Sequence, residues 1–372
     1  MSNTPPFVGD KLRLARLLNG LTQQELGEKI YVSRQFVHQL ESDVRTPADD
    51  VLDVLYEVLH VKAAFFTSPI SNEVKSEQCH FRKRKTTPVG VANRVLAFST
   101  VFEQLIAFVN DHLELPSPNF PDVVHSGNRY TPAEIENAAR ECRRLWGLSD
   151  APISNVMRAL ENAGVVITQF RGVSDKVDAL SLNRKFPIIV RNDAKESVCR
   201  LRFDLAHECG HFVLHEGIET GDNVTEREAD RFASEFLFPR TAFIQEFPDF
   251  KGKRLDWNLI YRLKIRWGMS ARAIIYKAHQ NGLITAQQFR GANVWLNKSG
   301  QARTERYDDK ILREEPELLF GIFDVLKKQL GMGFSYVSDV LAIEPYMLGM
   351  ITSISPENER HLDNVVPIGR TK

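Results

Sequence analysis

Cysteine is scarce in this chain: 4 in 372 residues, with no C-x-x-C pair. That argues against a cysteine zinc site and a disulfide framework, and fits thiols kept reduced in a cytosol. Excess charge of either sign is missing too. Lys+Arg and Asp+Glu both number 48, so the molecule as a whole is no polycation and any nucleic-acid contact must come from a local patch. No apolar run reads as long enough to span a bilayer, and the opening MSNTPPFVGDKLRLAR lacks a signal-peptide pattern. The expectation is a cytoplasmic protein with no membrane partner. Internal repeats are absent, which excludes a solenoid, and so are low-complexity segments. What remains is a globular composition, 43% hydrophobic and 26% charged, at a length that asks for two or three domains.

The chemistry concentrates in Ser197 to Gly217, SVCRLRFDLAHECGHFVLHEG, which contains His207-Glu208-Cys209-Gly210-His211, an H-E-x-x-H pattern. Two histidines four apart on a helix share a face, so both rings can reach one metal ion, and the intervening Glu can take a proton from water on that ion. At about 100° per residue, Val198, Leu201, Leu205, Cys209 and Phe212 fall on one side, while Asp204, His207, Glu208, His211 and His215 fall on the other. The spacing predicts an apolar stripe in a core and a polar face looking into a cleft.

A third ligand is expected nearby. Thr225 to Ala233, TEREADRFA, reads as the start of a second helix, with Thr225 and Glu228 fitting a capping box. That gives Glu228 a structural task and leaves Glu226 on the face shared with Ala229, Asp230, Ala233 and Leu237. A carboxylate facing inward needs a positive partner. Zinc held by His207, His211 and Glu226 supplies it and keeps a fourth position open for water. Asp230, one turn on, is placed to accept the other ring N–H of a ligand histidine. The bland alternative for Glu226 is a carboxylate favoured by the helix dipole.

AHECGHFVLHEG followed by EREADRFASEFLFP resembles the ImmA/IrrE family of gluzincin-like metallopeptidases, over roughly Thr131 to Phe289. The resemblance implies a zinc endopeptidase in which His207, His211 and Glu226 bind the metal and Glu208 is the general base, with manganese an open alternative. Asp204, His215 and Asp230 are expected around these ligands. His215 is a candidate for stabilising the oxyanion, or else binds a carboxylate behind the ligands.

The first residues carry a different signal. Thr22-Gln23-Gln24-Glu25 is a capping box, and Ser33 caps Arg34 to Glu41, whose Phe36, Val37 and Leu40 face inward. Two short capped helices with a tight turn make a helix-turn-helix plan. LTQQELGEKIYVSRQFVHQLESDVRTP resembles the XRE-type, lambda-repressor-like DNA-binding domain. In such domains the second helix enters the major groove by its N-terminal end, which here presents Ser33, Arg34, Gln35 and His38. Arg34 suits a guanine edge and Gln35 an adenine edge, while Gln23 and Gln24 can anchor phosphates. The family often has Gly after this helix. Here Asp43 stands instead, a residue that tolerates the left-handed conformation.

Residues 69–130 read as a linker with a dense basic cluster, Phe81-Arg82-Lys83-Arg84-Lys85, and a packing helix over Asn93 to Leu113 whose apolar stripe suits a core or a dimer interface. Short strands are expected at Val165–Phe170, Ala179–Leu182 and Pro187–Arg191, with an edge able to hold an extended substrate by main-chain bonds. Helical patterns follow over Trp257 to Ala278, Phe320 to Leu330 and Tyr336 to Leu348, before a polar tail.

The expected fold class is α+β and mostly helical. A five-helix lambda-repressor-like helix-turn-helix domain at 1–68 is followed, after the linker, by a gluzincin-like zinc peptidase domain with a small sheet at 131–290 and a C-terminal helical region at 291–372. The expected function is a DNA-binding, zinc-dependent endopeptidase that regulates transcription by cutting a partner repressor or regulator. The alternative is a non-proteolytic regulator, or the antitoxin of a toxin–antitoxin pair, whose peptidase-like domain grips a partner or senses a signal. The partners implied are a double-stranded DNA operator, a protein substrate or cognate toxin, and a second copy in a homodimer.

Overall fold

A computed structural model describes residues 6–75, 79–81, 88–123, 129–172, 179–192, 197–218, 220–250 and 254–355. Most of the basic cluster after Phe81, and the polar tail, lie outside the described residues.

The chain opens with α1 (Gly9–Leu18), α2 (Gln23–Lys29), α3 (Arg34–Glu41) and α4 (Asp49–Leu59), closed by a 3-10 turn at Ala63–Thr67. The caps are those the sequence requires. Thr22 and Glu25 form a reciprocal capping box on α2, and Ser33 accepts from Phe36 N on α3. Asp43 has φ 55°, and its carboxylate accepts from Gly9 N at 2.6 Å, so the side chain pins the turn after α3 to the start of α1. Gly9 is required there, because a Cβ would stand 2.4 Å from Leu40 O.

The connector is not plain coil. It contains β1 (Cys79–Phe81), followed by the long helix α5 (Val89–His112). By length and composition α5 is apolar enough to cross a membrane, contrary to the expectation that no such run exists. In the folded chain its stripe of Val95, Phe98, Val101, Phe102, Leu105, Ile106 and Val109 is buried in the first core. The stripe anticipated as a possible dimer interface is thus covered by the chain itself.

Next come α6 (Pro132–Leu145) and α7 (Val156–Asn162), then β2 (Val166–Phe170), β3 (Ala179–Leu182) and β4 (Ile188–Asn192). The sheet order is β1-β3-β4-β2, with β2 parallel to β4 and the other pairs antiparallel. The outer edge of β3 is therefore paired with the connector: Cys79, His80 and Phe81 lie opposite Leu182, Ser181 and Leu180.

After the sheet come α8 (Val198–Leu214) and α9 (Asn223–Leu237), then α10 (Arg240–Glu246), α11 (Trp257–Trp267), α12 (Ala271–Gln280) and α13 (Ala286–Lys298). Helices α6 to α9 enclose a second core with β2 and β4, and α10 to α13 a third. The boundary expected at 290 falls inside α13, where Ala292 is buried in that third core and Phe289 and Trp295 pack against it.

The last elements are α14 (Leu318–Leu330), α15 (Phe334–Val340) and α16 (Pro345–Thr352). One helix was expected over Tyr336 to Leu348. It splits because Ala342 takes φ 54° and Pro345 starts a new helix. These helices return to the first core, where Leu326, Val337, Ile343, Leu348 and Ile351 join Leu55, Leu59 and Phe102. Main-chain bonds fix the join. Lys62 N donates to Ala342 O at 2.8 Å, and Glu344 N to His60 O at 2.9 Å. The other side of α16 holds the sheet, with Thr168 Oγ1 donating to Ile351 O and Ser353 Oγ to Gln169 O, both at 2.7 Å. The C-terminal helices thus clasp the N-terminal module to β2.

Truncating a side chain in this clasp should weaken the whole first core. Ile351→Ala is expected to cost about 2–5 kcal/mol by loss of burial plus a cavity. Urea titration followed by circular dichroism measures it. A midpoint indistinguishable from the unmodified protein would contradict the packing described.

Candidate functional site

The centre of the molecule is where α8 meets α9. Gly210 lets them meet: a Cβ there would stand 3.2 Å from Ala229 Cα and 3.1 Å from the Phe232 ring. This close approach brings residues from both helices to one point. His207 Nε2 and His211 Nε2 lie 3.1 Å apart, and Glu226 Oε2 and Oε1 lie 3.5 Å from each respectively. Three ligands at zinc distances and tetrahedral angles stand about 3.3 Å from one another. The donor set therefore fits a small divalent cation.

The outer partners decide which way the rings present their lone pairs. Asp230 Oδ1 lies 2.8 Å from His207 Nδ1, so that nitrogen carries the proton and Nε2 is the lone-pair donor. On the other ring, His211 Nδ1 lies 2.9 Å from His215 Nδ1, and His215 Nε2 lies 2.9 Å from Glu228 Oε2. An ionised Glu228 only accepts, so His215 donates from Nε2 and accepts at Nδ1. His211 must then donate from Nδ1, which leaves its Nε2 bare towards the triad. One chain of protons thus sets both tautomers. Burial lowers the His215 pKa more than Glu228 raises it, in keeping with the neutral ring this chain needs.

One expectation changes here. Thr225 does not cap α9. Asp222 does, accepting from Val224 N and Thr225 N, because it precedes the first turn and its short carboxylate reaches both donors. Freed from a capping box, Glu228 is buried and also accepts from Tyr130 N at 3.1 Å. His215 ends α8 behind His211 with both ring nitrogens engaged, and of the two roles foreseen for it takes the second, binding the Glu228 carboxylate. The polar face of α8 is enclosed: His207, Glu208 and His211 are all at most 2% exposed.

Glu208 points from α8 to the sheet and accepts from Ser181 Oγ on β3. Burial pushes its carboxyl up to about 7, against the opposing pull of His207 and the Ser181 bond. Burial also works against a charged His207, but its bonds to Asp230 and Glu226 outweigh this and lift the ring to about 9. The same bonds from the two histidines hold Glu226 well below the usual carboxylate range despite burial. A cation arriving at the triad competes with a proton on His207. Asp204 stands one turn before Glu208, and its charge acts on Glu208 and Arg191.

On the N-terminal module, Arg34, Gln35 and His38 are exposed along α3. Ser33 Oγ is engaged as the cap. Gln23 Nε2 donates to Glu41 Oε2 at 2.7 Å and lies 3.5 Å from His38 Nδ1, and Gln24 donates to Glu28 at 2.8 Å. Glu41 is itself paired with Arg16 at 2.5 Å, so Gln23 belongs to a network linking α1, α2 and α3. Tyr31 was not singled out from sequence. It is 92% exposed in the turn before α3, at φ 58°, a position with no sequence pattern to mark it.

Comparison with known families agrees with this geometry. Residues 160–279 match the IrrE N-terminal-like domain of peptidase family M78, and residues 12–66 match a helix-turn-helix family. No curated protein matches the chain. The chain joins an XRE-type helix-turn-helix DNA-binding domain to an IrrE/ImmA-like domain of a metal-dependent peptidase family, a pairing that supports a DNA-binding regulator.

The proton chain predicts how the site responds to substitution. Glu228→Ala leaves the triad in place but frees His215 and His211 to turn. Zinc affinity should drop about 10–100-fold, read by competition with a chromophoric chelator. Affinity should also fall as pH is lowered, since protons compete for His207. If Glu228→Ala binds zinc as tightly as the unmodified protein, the two histidines are not oriented in this way.

Proposed function

We propose that this protein is a DNA-directed, metal-dependent endopeptidase that regulates transcription by cutting a partner repressor or regulator. The observation that carries the reading is the triad of His207, His211 and Glu226 with Glu208 beside it on the same helix face. A structural metal site needs no such base. Zinc suits the ligand set and its spacing, and manganese shares the oxygen and imidazole preference. A cation held there would acidify water and polarise a peptide carbonyl.

The side chains have separable tasks. Glu208 takes a proton and delivers it to the leaving amine, and a carboxyl held near neutrality by burial is suited to both steps. Ser181 orients Glu208 by donating to Oε2. Asp230, and Glu228 through His215, hold the ligand rings. On the N-terminal module, Ser33, Arg34, Gln35 and His38 face the groove, with Arg34 and Gln35 reading base edges, while Gln23 and Gln24 face the phosphates. Paired half-sites on an operator call for two copies of the chain.

One observation favours a second reading. The outer edge of β3, beside Ser181 and Glu208, is paired with β1 of the connector. An extended substrate seeking that edge finds it taken. A non-proteolytic regulator, or an antitoxin that grips a cognate toxin, fits a closed edge as well as a resting peptidase does.

Two substitutions separate the readings. Glu208→Gln should keep zinc and operator binding but lower cleavage about 10²–10⁴-fold, and it should block the transcriptional response. Arg34→Ala should cost about 1–3 kcal/mol of operator affinity and leave peptide cleavage in vitro unchanged. Should Glu208→Gln respond normally in the cell while Arg34→Ala does not, proteolysis is not the function.

A further inference from the structure

Beside the triad lies a cavity of about 800 Å³, walled by α6, α8, α9, α12 and α13. Its size is that of a ligand site rather than a packing defect. Asp230, bonded to His207, stands in its wall, so the cavity is one side chain from the cation position.

Its charge is lopsided. Arg129, Arg200, Arg227, Arg231 and Arg272 all line it. Arg231 is paired with Glu136 at 2.6 Å, yet its buried Nε has no hydrogen-bond partner among the described residues. Arg272 is held by the neutral amides of Asn293 and Asn297, at 2.8 and 2.9 Å, which orient a guanidinium without cancelling its charge. Among the described residues no carboxylate pairs with Arg129, Arg200, Arg227 or Arg272. The wall carries three acidic groups against these five arginines: Asp230, engaged with His207, Glu228, engaged with His215 and Tyr130 N, and Asp204. Between the arginines the lining is apolar, from Phe203, Met269, Tyr276 and Phe289.

From this we infer that the cavity holds an acidic stretch of polypeptide, with an apolar side chain next to it, flanking the bond presented to the His207–His211–Glu226 triad. The inference rests on the peptidase reading for the last clause only. Guanidinium groups bind carboxylates in pairs of parallel hydrogen bonds, which gives both attraction and orientation. In a half-enclosed cleft that attraction is screened less than on an open surface. A basic segment would meet repulsion from arginines that outnumber the carboxylates of the wall. The cleft therefore selects against the strongly basic surfaces that DNA-binding domains present, and for acidic segments elsewhere in a regulator.

The test uses the full chain carrying Glu208→Gln, so that bound peptide stays intact. Fluorescein-labelled peptides share one apolar centre and differ only in flanks of Asp/Glu, Asn/Gln or Lys/Arg. Anisotropy should show the acidic set binding at least about tenfold tighter than the neutral set at low salt, with the advantage shrinking as salt is raised. Arg200→Glu with Arg227→Glu should abolish that advantage. The Lys versions of both should restore part of it, since they keep charge but lose the paired geometry.

Equal binding of acidic and neutral peptides overturns the inference, as does acidic preference that persists in the double Glu variant. Displacement of the acidic peptide by duplex DNA that lacks an operator also overturns it, since the arginines would then serve a phosphate backbone. Incubating the same peptides with the zinc-loaded unmodified chain separates the two claims. Arginine-dependent binding without any cleavage upholds the cavity's preference and removes the peptidase reading. Cleavage without flank preference does the reverse.

Discussion

His207 and His211 offer their Nε2 lone pairs to one point only because each has its Nδ1 proton already committed. Asp230 takes one, and His215, backed by Glu228, takes the other. Remove those commitments and either ring is free to turn its protonated nitrogen inward, where it would repel a cation instead of binding it. The rest of the site is arranged around this constraint. All but one of the groups concerned come from α8 and α9, so the distance between two helix axes sets the distance between ligands. Gly210 in the middle of the H-E-x-x-H run is the residue that makes this distance short enough. A methyl group there would meet Ala229 and Phe232, in the same turn and the next after Glu226.

The DNA-reading module and this centre are joined by more than a tether. The N-terminal helices share their core with α5 and with α14 to α16. Helix α16 in turn holds β2 through Thr168 and Gln169, while the strand immediately before α5 pairs with β3. One flank of the sheet is therefore held by a helix that belongs to the N-terminal core, and the other is formed by the strand that precedes α5. The middle of the sheet carries Ser181, the partner of Glu208. Displacing the helix-turn-helix module relative to α8 would strain the hydrogen bonds that join it to the C-terminal helices and those helices to β2. That is a physical link between the surface proposed to face an operator and the carboxylate proposed to do the chemistry.

Much of this was legible in the sequence because it is local. The H-E-x-x-H spacing, the capping residues Thr22, Ser33 and Thr131, and the tolerance of Asp43 for positive φ each depend on a handful of adjacent positions. The triad needed one longer step, from α8 to Glu226, and helical periodicity carried it. What escaped depends on where elements come to rest. Glu228 looked like half of a capping box because Thr225 stands three residues before it, and only the position of His215 shows its other use. Ser181 is a lone serine in a four-residue strand. Strand β1 is three residues long beside a basic cluster, too short for any period to declare itself. The C-terminal clasp is a set of ordinary amphipathic helices, and nothing in their spacing says whose core they complete.

The closed edge of β3 bears on how such a centre would be kept quiet. A metal ion with a base beside it is a hazard inside a cell unless access is restricted. Here Glu208 is buried, bonded to Ser181, and flanked by an edge whose main-chain groups are already paired with the connector. A peptide in extended form gains affinity at a sheet edge mainly from main-chain bonds, and those bonds are taken. A substrate approaching from the arginine-lined cavity does not depend on that edge for its first contacts. Charge can hold it beside the triad while the edge is still closed. On the proposed reading the two features are complementary: the paired edge would limit cleavage of arbitrary chains, and the basic cavity would give an acidic segment a route that other segments lack.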